Sequence, residues 1–220
     1  MTDLLPGIHL HHVDTPRLRI AVLTDGKHEG APVVLVHGNV SSSLFWQETI
    51  LALPDGFRGF APDLRGFGAS ETKPVDATRG LRDYADDLVA LIEALEVGPV
   101  HIAGWSMGGG VVTQLMLDRP DLVASLALVN PVPPYGFGAT KDVDGTRVAD
   151  DDPGAGGGGA NPDFVAALLA GDTGSESPNS PRNVMNGFYF ADGFKASLED
   201  VYVESMLTTA TGVDNYPGDS

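Results

Sequence analysis

The chain has 220 residues, 42% of them hydrophobic, and no cysteine; it can bury a substantial core, and disulfides, thiolate metal sites and a cysteine nucleophile are excluded. A net charge of −17 excludes nucleic acid, whose phosphates it would repel, and no apolar run approaches the ~20 residues that span a bilayer. With no charged leader before an apolar segment and no cluster of metal ligands, the expectation is a cytoplasmic protein without membrane partner, metal or organic cofactor.

Residues 7–13 and 17–23 read as two antiparallel strands turning at Asp14-Thr15-Pro16. Pro32 to Val36 is a short β-branched run, as in a strand buried on both faces. Leu44 to Leu53 is helical in pattern and stops at Pro54, and Phe57 to Ala61 is a strand. Tyr84 to Leu95 places Leu88, Leu91, Ile92 and Leu95 at helical spacing. Val100 to Ala103 is a strand, Gly110 to Leu117 a helix closed by Asp118-Arg119-Pro120, and Leu122 to Val129 a further strand. Alternating strands and helices predict an α/β fold, with a mostly parallel sheet and helices on both faces.

The pattern changes at Asn130. Pro131, Pro133 and Pro134 break regular structure, and glycine and aspartate dominate to Gly159, predicting a long irregular loop. Helices resume at Asn161-Pro162-Asp163, a cap followed by proline and an acid in the first turn. Ser197-Leu198-Glu199-Asp200 reads as a capping box before Val201, Val203 and Met206, and residues 181–190 carry Met185, Phe188, Tyr189 and Phe190 without a clear period. Residues 1–130 therefore form the α/β part and 131–220 a mostly helical insertion. That insertion holds 14 acids against 4 bases.

Chemistry concentrates at Gly104-Trp105-Ser106-Met107-Gly108, a Gly-x-Ser-x-Gly run between a predicted strand and a predicted helix. So tight a turn needs small residues two positions either side of the serine. It forces a strained backbone there and projects Oγ beyond the strand end as a nucleophile. His37-Gly38-Asn39 follows the Pro32 strand, where a loop brings a second N–H beside the serine. The backbone N–H groups of Asn39 and Met107 are the candidate oxyanion donors. His37 is read as bracing its loop and not as the general base. Asp63-Leu64-Arg65-Gly66-Phe67-Gly68 is read as structural, its glycines making turns and its Asp and Arg fixing neighbouring groups.

Together, His37-Gly38-Asn39 with Trp46, Asp63 to Gly68 and Gly104 to Gly109 resemble the α/β-hydrolase superfamily over residues 7–130. The resemblance is to the branch with small esterases, cofactor-free haloperoxidase-like perhydrolases, lactonases and C–C bond hydrolases. It implies a lid inserted after the sixth strand, matching 131–220, and a triad in the order serine, acid, histidine. It also implies an acyl-enzyme on Ser106, since relatives that act on epoxides or haloalkanes carry aspartate at that position. Trp105 is a candidate substrate contact. The aromatic residues Phe164, Phe188, Tyr189 and Phe190 either line an acyl pocket or fill the core of the lid.

In the family the acid and histidine follow the seventh and eighth strands, after the lid. The six histidines here are His9, His11, His12, His28, His37 and His101, and none is placed as a base for Ser106. An alternative acid position after the sixth strand falls near Asn130, which cannot ionise. Three readings stay open: one piece of a longer or nicked protein, truncated before the last strands, whose C-terminal segment or chain supplies both groups; a partial gene product; or a degenerate binding module. The expected activity is hydrolysis of a small-molecule ester, thioester, lactone or activated ketone. Perhydrolase, C–C hydrolase and acyltransferase chemistry use the same serine.

Overall fold

A computed structural model describes residues 4–132 and 160–217; most of the expected Gly/Asp-rich loop lies outside them. Six strands form one sheet in the order β1-β2-β4-β3-β5-β6. They are β1 (His9–Asp14), β2 (Arg19–Thr24), β3 (Ala31–Val36), β4 (Phe57–Pro62), β5 (Val100–Trp105) and β6 (Val123–Val129). β1 and β2 are antiparallel, as the hairpin reading expected, and β2 also runs antiparallel to β4. β4, β3, β5 and β6 are mutually parallel, so the parallel-sheet expectation holds.

Right-handed crossovers decide where the helices lie. β3 leads through α1 (Gln47–Leu51) to β4 in one direction across the sheet. β4 leads through α2 (Arg82–Leu95) to β5, and β5 through α3 (Met107–Asp118) to β6, in the other. α1 therefore covers one face and the α2/α3 pair the opposite one. The core divides accordingly. Val34, Val36, Phe60 and Ile102 pack with Leu88, Leu91, Val111 and Leu115, while Leu35 and Ala61 pack with Ile50. Alternate residues of the central strands face alternate layers, which is why their sequences read as continuous apolar runs.

Two elements differ from the sequence reading. The segment expected as a helix from Leu44 is a 3-10 turn over Ser43–Trp46 followed by the short α1. The Asp63 carboxylate accepts from the Ser43 N–H (2.7 Å) and so starts that turn from another part of the chain. The second, α3, begins at Met107, three residues earlier than its apolar pattern. Gly108, Gly109 and Gly110 are poor helix formers, but each is buried against tertiary neighbours.

After residue 160 come α4 (Pro162–Leu169), α5 (Pro181–Phe188) and α6 (Glu199–Met206). Asn161 caps α4 through the Asp163 N–H, as expected, and Ser180 caps α5. The capping box expected at Ser197 does not form. Leu198 occupies the cap position without a side-chain bond, and the Ser197 hydroxyl instead donates to Glu48 (3.0 Å), tying α6 to α1. Phe164, Leu168, Met185, Tyr202, Val203 and Met206 make a separate apolar cluster. The chain then meets the segment that follows β4: Ala210 N–H donates to the Gly66 carbonyl (2.7 Å) and Val75 N–H to that of Asp214 (2.8 Å).

At the far side, β6 is the edge of the sheet. Leu128 and Val129 are about half exposed, and Leu117 of the neighbouring α3 is 60% exposed. An unpaired strand with apolar side chains is a template for another strand.

Candidate functional site

β3 and β5 lie side by side, yet their connections leave in opposite directions, to β4 and to β6. This makes a topological switch point, and a crevice opens beyond the carboxyl ends of two such strands. The chain delivers His37-Gly38-Asn39 there from β3 and Ser106 from β5.

Ser106 has φ 54° and ψ −124°, a region that costs a non-glycine residue about 1–3 kcal/mol. The surroundings enforce it. The Ser106 N–H donates to the Val129 carbonyl (3.1 Å), and its own carbonyl accepts from Gly109 and Val132 (both 3.0 Å). A Cβ at Gly104 would lie 2.4 Å from the Gly108 carbonyl oxygen, and one at Gly108 would lie 2.3 Å from that of His37. The flanking glycines thus let strand, turn and helix come together. Gly108→Ala presses on main chain that cannot yield without separating α3 from β3. We expect a loss at or above the ~3 kcal/mol upper range of overpacking in urea unfolding. Gly187→Ala, with nothing within 4 Å of the new carbon, is expected to be neutral or stabilising; equal losses for the two would refute the argument.

The turn after β3 abuts this elbow. A Cβ on Gly38 would sit 3.0 Å from Ser106 Cβ. Among the described residues the backbone N–H groups of Asn39 and Met107 have no acceptor, and Ser106 Oγ has no hydrogen-bond partner. Two free donors beside a free hydroxyl have the composition of a nucleophile facing an oxyanion hole.

His37 is fully buried. Its Nε2 accepts from the Leu64 N–H (2.9 Å), which can only donate, so the proton is on Nδ1 and is given to the Gly38 carbonyl (2.7 Å). The ring braces two loops and has no nitrogen left for Ser106. Burial lowers the His37 pKa, against opposing pulls from the Asp63 charge and the Gly38 carbonyl. The unfolded chain protonates this imidazole near its ordinary value of about 6.5 while the folded chain resists. Stability from this group is therefore complete above about pH 6.5 and falls as the pH drops below it. Urea midpoints at pH 8, 6.5 and 5.5 should be level between the first two and lower at the third; a midpoint unchanged at pH 5.5 would sink the assignment.

Asp63 is equally structural. Its Oδ1 accepts from Ser43 N–H and its Oδ2 from Ala69 N–H (2.8 Å). Gly68, at φ 57°, leaves room for that carboxylate, 2.1 Å from where its Cβ would lie.

A family model for the alpha/beta hydrolase fold matches residues 31–155. The chain belongs to the α/β-hydrolase fold family. It is 36% identical over 104 residues to an (E)-2-((N-methylformamido)methylene)succinate hydrolase of Acinetobacter baylyi, covering 47% of this chain and 39% of that protein. It is 33% identical over 103 residues to a 2-hydroxymuconate semialdehyde hydrolase of Pseudomonas sp. strain CF600, covering 46% and 36%. Among solved structures it resembles an epoxide hydrolase from Vigna radiata with a TM-score of 0.51 and 32% identity, over 56% of this chain and 39% of that one. The chain spans about two-fifths of the length of these relatives.

Within this α/β-hydrolase frame, no histidine or carboxylate of the described residues is hydrogen-bonded to Ser106. His101 sits at the start of β5 and meets Ser125 (2.8 Å), at the opposite end of the strand. His9, His11, His12 and His28 are exposed on or near β1 and β2, and Asn130 follows β6 exposed, at φ 43°. Among the described residues, no group of three or more metal-ligating side chains is gathered, and no helix is long and apolar enough to cross a membrane.

Trp105 is half-buried beneath the helical layer. Its ring meets that of Tyr189 edge-on at 5.3 Å and lies 6.0 Å from Phe45. Of the four aromatics singled out after residue 160, Phe164 is buried in the layer's core, and Tyr189 and Phe190 pack against it. Phe188 is 83% exposed. Sequence reasoning missed two features here. Val40 adopts φ 45°, which a β-branched residue rarely does, and the Tyr189 hydroxyl reaches the Asn39 and Val40 carbonyls (3.1 and 3.2 Å). A contact across 150 positions leaves no local signature.

Proposed function

We propose that this chain carries the nucleophile and oxyanion hole of a serine hydrolase. Ser106 Oγ attacks a carbonyl carbon of a small ester, thioester or lactone. The N–H groups of Asn39 and Met107 hold the oxyanion, the leaving group departs to give an acyl-enzyme, and water releases the acid. The observation that carries this reading is the strained Ser106 at the switch point, whose hydroxyl, like the Asn39 and Met107 N–H groups, has no partner among the described residues. A serine here, where epoxide-acting relatives carry aspartate, favours acyl chemistry over epoxide opening. Residues 131–220 act as a lid over the site, and Trp105 forms part of the floor on which the acyl group rests.

The base and its acid come, in this reading, from a further polypeptide segment that pairs with the open edge of β6 and brings a histidine to Ser106. The exposed apolar side chains of Leu117, Leu128 and Val129 support that placement. A fluorophosphonate probe, followed by intact mass and peptide mapping of the native protein, tests the proposal. An adduct on Ser106 in protein that co-purifies with, or continues into, such a segment is the expected result. Intact native protein that carries the segment yet leaves Ser106 unlabelled would overturn the assignment.

A further inference from the structure

We propose that Tyr189 is a positioning residue through which docking of the helical layer fixes the Asn39–Val40 turn, so that the oxyanion donor is completed only when the layer is seated. The inference rests on the serine-hydrolase reading for its catalytic consequence, though its structural part stands alone.

One side chain touches both halves of the site. The Tyr189 hydroxyl, just past the end of α5, lies 3.1 Å from the Asn39 carbonyl oxygen and 3.2 Å from that of Val40. Its single proton is shared between successive peptides of the oxyanion turn. The ring packs edge-on against Trp105, the residue before the nucleophile. Burial raises the Tyr189 pKa above its ordinary value, so the hydroxyl remains a donor throughout the working range.

The turn needs such support. Val40 sits at φ 45°, a conformation that persists only where the surroundings over-determine it. Within the turn itself, the Asn39 side chain contributes one bond, accepting from the Val40 N–H (3.0 Å). The His37 ring and the Ser41 hydroxyl hold the Gly38 carbonyl (both 2.7 Å), whereas the Asn39 and Val40 carbonyls and the Val40 side chain are held by the layer. The Val40 side chain is 2% exposed and is buried in the cluster of Phe164, Leu168, Met185, Tyr202, Val203 and Met206, every one from beyond residue 160. Lifting the layer would strip Val40 of these apolar partners and both carbonyls of their donor. The strained turn would relax, and the Asn39 N–H on it would move off the oxyanion position. The cap then does more than cover substrate: its closure assembles the site.

Tyr189→Phe removes only the hydroxyl and keeps the ring against Trp105. Hydrogen exchange across residues 38–41 is expected to speed up by about tenfold or more in the variant as the turn opens more readily. In the active protein, kcat for p-nitrophenyl acetate should fall about tenfold with KM within about twofold, short of the ~10²–10³-fold cost of losing an oxyanion donor outright. Binding of phenylboronic acid, a mimic of the tetrahedral intermediate, should weaken by a similar factor. Unchanged exchange at 38–41, even with a lower melting temperature, would overturn the proposal. Faster exchange with unchanged kcat and boronate affinity would overturn its catalytic half. Ser106→Ala, run in parallel, separates the two readings: if it kept full turnover the serine assignment would fall, while the exchange data would still judge the Tyr189 clamp.

Discussion

Ser106→Ala is expected to reduce ester turnover by at least ~10⁴-fold and to abolish phosphonate labelling, with little change in stability. The size follows from the role. A nucleophile cannot be replaced by geometry, and what survives its loss is the residual ~10³–10⁴-fold acceleration over water from oxyanion donors and binding. The folding cost should be small because the Ser106 hydroxyl bonds to nothing among the described residues. Alanine leaves the φ 54° strain in place, so a melting temperature within a few degrees of the parent is expected. Kinetics with p-nitrophenyl esters and a thermal melt on the same preparation decide the matter. Turnover within tenfold of the parent would place the nucleophile elsewhere.

Asp87→Ala should be the most damaging substitution away from the site, costing about 3–5 kcal/mol. The Asp87 side chain is 3% exposed and that of Arg65 6%. Asp87 Oδ2 accepts from Arg65 Nε (2.6 Å), and Oδ1 accepts from Arg65 Nη2 (2.7 Å) and Arg17 Nε (2.6 Å). This bidentate pair, with Arg17 joining from the β1–β2 turn, pins the Asp63–Gly68 loop to α2. That loop in turn holds the His37 ring and the start of the Ser43 turn. Without the carboxylate, the buried Arg65 guanidinium keeps, among the described residues, the Pro74 carbonyl (2.7 Å) and the more distant Asp83 (3.9 Å) to offset its charge. Removing both charges in Asp87→Leu/Arg65→Met should be less harmful than Asp87→Ala alone, because no unpaired charge is left buried. Urea unfolding of the three proteins tests this ordering. A single-variant loss under 1 kcal/mol would mean the pair behaves as a surface ion pair.

Much of the α/β part is legible in the sequence because its determinants are local. The β-branched run into Val36 and the 3.6-residue spacing of Leu88, Leu91, Ile92 and Leu95 each encode a period. The Asn161-Pro162 start of α4 encodes a cap. Gly104-x-Ser106-x-Gly108 encodes a steric requirement, since only glycine fits 2.3–2.4 Å from a carbonyl oxygen. Where the sequence misled, a distant partner had won. Ser197 has every local reason to cap α6, yet its hydroxyl is taken by Glu48. The triple glycine of α3 argues for a later helix start, yet close packing against Pro131, Leu81 and Val132 rewards the missing side chains. Asp87 carries no local signature, because an acid on an amphipathic helix has the pattern of a solvated residue, and its partners Arg65 and Arg17 are 22 and 70 positions away.

The sequence by itself determined that this is an α/β chain with a serine at a strained strand–helix turn, because those features are written in residues two to four positions apart. Only the tertiary structure decided what surrounds that serine. It set His37 to face Leu64 and Gly38 instead of Ser106, brought the turn after β3 against Ser106, left β6 at the edge of the sheet among the described residues and laid Tyr189 against the Asn39–Val40 turn. Those outcomes depend on pairings between residues up to 150 positions apart, where the energy of contact is fixed by packing and not by any pattern a single stretch of chain can carry.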